Sequence, residues 1–142
     1  MPVCPECGAR YESGRVECAE RFAELLALDH ARSEPWGSRH GLAFSVYALQ
    51  HPDQYSAAVR AGAWRMLQRV YVQGADRLAV AAEMRALAGR LPVPDTVAPL
   101  PERAGSAPRF VVTIADVWPF STAHYAEQLD KWCRATLDAL QD

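Results

Sequence analysis

The chain has 142 residues, half of them hydrophobic and 23% charged, with a formal net charge of −2 and a pI near 6.1. That composition suits one folded domain over 1–142 with its own core and excludes a disordered chain. Neither charge sign dominates, so no nucleic-acid partner is expected, and no apolar run reaches the ~18 residues of a membrane span.

Residues 1–17 read as a loop punctuated by Pro2, Pro5, Gly8 and Gly14. The opening MPVCPECG lacks the charged and apolar regions of a secretory signal, so a cytoplasmic location is expected. From Cys18 the pattern turns helical: Phe22, Leu25, Leu26 and Asp29 follow the i, i+3, i+4, i+7 rhythm, with Asp29 marking the end. SEPWGSRHG breaks the chain, and a second helix spans about 38–51 before Pro52 stops it. Ser56 caps a third helix, whose apolar stripe is Val59, Ala63, Met66, Leu67, Val70 and Tyr71, and Gly74 closes it. Asp76 caps a fourth, Ala-rich helix to about Leu91. Residues 92–108 form a Pro-rich surface loop. RFVVTIADVW reads either as a short strand or as one helical turn; Thr113 with Asp116 resembles a capping box, and no partner strand stands out, which favours the turn. A last helix starts at Ser121 or Thr122 and carries Tyr125, Leu129, Trp132, Cys133, Thr136, Leu137 and Leu140 along one side. The expected fold is all-α, or nearly so: a small helical bundle with an irregular, Cys-bearing N-terminal loop.

That loop carries the chemistry. Cys4 and Cys7 form a C-x2-C pair followed by Gly8, and Cys18 comes eleven residues after Cys7. Zinc takes four tetrahedral ligands from Cys and His, and a C-x2-C turn offers two thiolates to one ion. A thioredoxin-like role is disfavoured, because no strand precedes the pair and no βαβ pattern follows. Two further ligands must come from elsewhere.

Helix geometry narrows the choice. A short connection favours an antiparallel hairpin of the first two helices, in which paired positions sum to about 69. Cys18 then sits beside His51, and Asp29 beside His40. Cys4, Cys7, Cys18 and His51 converge at one end as the expected zinc ligands. His40 is the rival for the fourth place but needs another hairpin geometry. His40 and His51 share a face with Tyr47, yet lie roughly 16 Å apart along the axis, too far to bind one ion. His40 could meet His124 in a polar pocket with Tyr47 and Gln50. Cys133 and the four tryptophans, Trp36, Trp64, Trp118 and Trp132, read as core.

Two functions fit these residues. In the first, the zinc is structural and pins the loop to the hairpin, with a small molecule or protein partner bound elsewhere. In the second, three groups bind the metal and an open position holds water, giving a metal-dependent, hydrolase-like enzyme. Against the second stands the lack of a paired acid: Glu6 and Glu17 are the nearby carboxylates, and both read as solvated. A thiol redox sensor that releases metal on oxidation is a further, unspecific reading.

In chain order, CPECGA, Cys18 ahead of FAELLALD, HGLAFSVYALQHP, TIADV and HYAEQLDKW resemble a bacterial domain-of-unknown-function family. That family has a CPxCG start, a central H-x-L-x4-Y-x2-Q-H-P helix and a late A-D-V turn. The resemblance covers most of the chain outside the Pro-rich loop, and YALQHP is its most specific element. It implies that Cys4, Cys7, Cys18, His40, Tyr47, Gln50 and His51 are family positions. It implies no reaction.

Overall fold

Helix α1 (Cys18–His30) and helix α2 (His40–Gln50) lie antiparallel, and side-chain contacts fix their register. Phe22 stacks on Tyr47 with ring centroids 3.9 Å apart, and the Asp29 carboxylate meets His40 at 3.0 Å. Both pairs sum to 69, the register expected from the short connection. The computed structural model describes residues 1–87, 97–101 and 110–141. Within these the fold is all-α. Helices α3 (Ala57–Leu67), α4 (Arg77–Leu87), α5 (Ile114–Val117) and α6 (Tyr125–Gln141) complete it, with 3-10 turns at 37–39 and 52–54 and a π turn at 68–72. A lone antiparallel bridge joins Val3 to Arg10 in the N-terminal segment.

Helix α2 is the axis of the molecule. Eight of its residues are buried, among them Leu42, Val46, Tyr47, Leu49 and Gln50. A helix apolar on nearly every side must be surrounded, and α1, α3 and α6 do so. The ends follow their sequence signals. Ser56 accepts from the Val59 amide at 3.2 Å, and Asp76 from the Ala79 amide at 3.0 Å. The Asp116 carboxylate accepts from the Thr113 amide at 2.8 Å, so 113–117 is a helical turn rather than a strand. The last helix begins later than the expected Ser121 or Thr122: a turn opens at Ser121, and α6 starts at Tyr125, with Tyr125, Leu129, Trp132, Cys133, Thr136 and Leu137 buried.

Some expectations are corrected. Asp29 does not simply end α1: it is buried, because His40 supplies its partner. Val59 is 37% exposed and leaves the core stripe of α3 to Ala63, Met66 and Leu67. Trp118 is 39% exposed, where its ring caps the Arg21 guanidinium at 4.1 Å and its Nε1 donates to Glu24. The fourth helix is described to Leu87; its expected end, and the Pro-rich loop outside 97–101, lie outside the described residues. No helix among the described residues is long and apolar enough to cross a membrane.

Gln50 locks α2 to the far side of the core. It is fully buried, and its Nε2 donates to the Val112 carbonyl at 2.9 Å and to Thr136 Oγ1 at 2.8 Å. Thr136 in turn donates to the Trp132 carbonyl at 2.8 Å. Replacing Gln50 with Leu strips the half-buried Val112 carbonyl and the buried Thr136 hydroxyl of their donor and is expected to destabilise the protein by about 1–3 kcal/mol. Urea unfolding of the Gln50→Leu variant at neutral pH measures it.

Candidate metal centre

Four donors meet where the N-terminal segment crosses the end of the α1–α2 hairpin. One ligating atom from each of Cys4, Cys7, Cys18 and His51 lies within 4.8 Å of all the others, and all four residues are buried. Each arrives by a distinct local device. Cys4 and Cys7 sit in a turn closed by Cys4 N–H to the Ala9 carbonyl at 2.8 Å and Gly8 N–H to the Cys4 carbonyl at 2.9 Å. The turn needs a left-handed residue, and Gly8 supplies it at φ +84°. The Ala9 amide points at the Cys7 sulfur, 3.4 Å away. Cys18 is the first residue of α1, and His51 is the residue that ends α2 ahead of Pro52.

The His51 ring is held in one orientation. Its Nδ1 donates to the Tyr47 carbonyl at 2.9 Å, and the ring stacks on Tyr47 at 4.0 Å. Phe22, Tyr47 and His51 thus form one column running along the hairpin to the sulfurs. Nδ1 carries the proton, so Nε2 presents a lone pair, and this buried nitrogen has no hydrogen-bond partner. A metal-binding imidazole is commonly oriented by such an N–H to carbonyl bond.

Charge at the sulfurs is uneven. Cys7 and Cys18 are 3.6 Å apart, and two thiolates that close cannot both ionise unaided. Donation from Cys7, and after it from the hydroxyl of Tyr11, lowers the Cys18 pKa against the effect of burial. Cys7 moves the opposite way, raised first by the same shared bond with Cys18 and then by burial.

Two supporting residues, Tyr11 and Arg21, escape sequence reading, and a third, Glu6, is bonded rather than solvated as expected. Tyr11 is buried and its hydroxyl lies 2.9 Å from the Cys18 sulfur. Arg21 lies over the Tyr11 ring at 4.7 Å, pairs with Glu17 at 2.9 Å and fixes that ring from outside. Glu6 accepts from the Asp53 amide at 2.8 Å and from Gln54 Nε2 at 2.9 Å, so it ties the C-x2-C turn to the turn after His51. Glu6 and Glu17 are therefore bonded rather than freely solvated. A tyrosine four residues after a C-x2-C carries no spacing signal of its own; only its placement reveals the role.

The remaining expected residues do not form one pocket. Tyr47 and Gln50 are buried in helix packing, and His124 is exposed, with its amide bonded to Ser121. His40 lies at the far end of the hairpin from the four donors, on Asp29. Cys133 is buried in the α6 core, where burial pushes its thiol up.

The fold and site define an all-α protein with a buried Cys3His cluster able to hold a metal ion. The chain belongs to a family of unknown function, DUF5946, whose model matches residues 2–141. No curated protein and no solved structure matches the chain.

The Asp29–His40 pair gives a pH signature. The hydrogen bond to Asp29 raises the His40 pKa above its ordinary 6.5, outweighing partial burial. A raised folded-state pKa contributes stability below about pH 6.5 that is lost as pH rises through the folded value. The stability difference between the wild type and His40→Gln should therefore be larger at about pH 6 than at about pH 9. Denaturant unfolding at both pH values checks this, and NMR titration of the His40 ring reads the raised pKa directly.

Proposed function

We propose that the protein is a zinc protein in which Cys4, Cys7, Cys18 and His51 hold one structural ion that pins the N-terminal segment to the α1–α2 hairpin. One observation carries this reading: four metal-binding side chains from three separate chain segments are buried with their donor atoms turned on one another. The 3.6 Å between the Cys7 and Cys18 sulfurs suits zinc, since Zn–S bonds of about 2.3 Å give a tetrahedral edge of about 3.8 Å. The Nε2 of His51 is a buried lone pair for which coordination supplies a partner.

The donor count favours structure over catalysis. Three sulfurs and one nitrogen fill a tetrahedron and leave no position for a reacting water, and burial keeps solvent from the cluster. The Tyr11 hydroxyl on Cys18 neutralises part of the excess thiolate charge. Removing the ion would leave buried thiols and an unpartnered imidazole, and the N-terminal segment would lose its anchor. The reading places the protein in the cytoplasm, where unpaired thiols persist.

Purified full-length protein is expected to carry about one zinc per chain. A strong chelator should lower the melting temperature, with a loss of several kcal/mol of stability. Cys4→Ser and His51→Ala should each reduce the bound zinc and melt lower than the wild type. Protein free of metal that melts at the same temperature with and without chelator would refute the proposal.

A further inference from the structure

At the end of the hairpin away from the four donors, two cavities of different polarity open side by side. The first, of about 550 Å³, runs between α2, α3 and α4, with Phe44, Val59, Met66, Leu78 and Met84 on its walls. The second, of about 430 Å³, is lined by Asp29, His30, Arg32, Gly37, His40 and Arg85. Gly37, His40 and Arg85 belong to both, so the cavities adjoin. Val59 and Leu78, 37% and 53% exposed, line the apolar cavity.

The walls are built for a slim chain. Gly41, Gly62, Ala58 and Ala63 carry little side chain into the apolar cavity, and the flexible thioethers of Met66 and Met84 close on the two glycines. A Cβ at Gly41 would meet Met66 Cε at 3.2 Å, and one at Gly62 would meet Met84 Cε at the same distance. Glu83 on α4 bonds Arg65 at 2.6 Å and Arg69 at 2.9 Å, which fixes the spacing of α3 and α4.

The polar cavity sets two arginines against one carboxylate: His40 bonds Asp29 Oδ2, Asp29 Oδ1 is buried without a hydrogen-bond partner, and Arg32 and Arg85 have no ion-pair partner among the described residues. Arg32 is held in the left-handed region, φ 57°, the one non-glycine residue so placed among those described. Gly37 makes this turn possible, since a Cβ there would lie 3.0 Å from the Arg32 backbone. This left-handed residue ends α1 just past its cap at Ala31 and so sets Arg32 beside the cavity. The buried Asp29 carboxylate meanwhile orients the His40 ring, so that its Nε2 is the nitrogen left free.

We propose that these joined cavities bind an aliphatic monocarboxylate, its carboxylate between Arg85, Arg32 and His40 and its chain along the cleft between α2, α3 and α4. Arg supplies paired donors to a carboxylate, and the Gly- and Met-lined cleft accepts an unbranched chain better than a rigid ring. The site is separate from the metal cluster and does not depend on its occupant.

Calorimetric titration of the full-length, metal-loaded protein tests it, with decanoate as probe and decanol and acetate as comparators. Decanoate should bind saturably, and both comparators should bind at least about tenfold more weakly. Arg85→Glu at an exposed position, and Ala58→Trp at the exposed mouth of the cleft, should each weaken decanoate by about tenfold or more without changing the melting temperature. No saturable decanoate binding, equal binding of decanol, or undiminished binding by Arg85→Glu would each overturn the proposal.

Discussion

Three sulfurs and one imidazole nitrogen are buried together, and the rest of the structure is arranged around that fact. Buried polar donors and acceptors are costly unless something satisfies them. The Cys7–Cys18 contact, the Tyr11 hydroxyl and the Ala9 amide satisfy part of the set. A cation at the centre would satisfy all of it at once. The helices contribute by ending where they do: α1 begins on Cys18, and Pro52 halts α2 so that His51 turns inward.

The N-terminal segment has little core of its own. Cys4, Cys7, Ala9 and Tyr11 are its buried residues. Such a segment gains its order from cross-links rather than from area buried. Glu6 to the 53–54 turn, Arg21 between the Tyr11 and Trp118 rings, and the four-donor cluster are those cross-links. The aromatic column of Phe22, Tyr47 and His51 then joins the cluster to the helical core.

Much of this was legible in the sequence, and the reason is geometric. The first two helices have nearly equal length and a short connection, so their register was fixed by counting, and it put Cys18 by His51 and Asp29 by His40. Caps at Ser56, Asp76 and Thr113–Asp116 are local signals and were readable for the same reason. What depends on non-local crossing was not readable. Tyr11 reaches Cys18, Gln50 reaches Thr136, and α2, α3 and α4 open a cleft only because of packing that no spacing encodes. Tyr47 and Gln50 were expected in a polar pocket; the fold uses one for stacking and the other as a buried brace.

X-ray absorption at the zinc edge of the purified protein tests the central claim most directly. The account predicts a first shell of about three sulfurs at ~2.3 Å and one imidazole nitrogen at ~2.0–2.1 Å, with the nitrogen signal lost in His51→Ala. A first shell dominated by oxygen, or one that keeps its imidazole in His51→Ala, would contradict it.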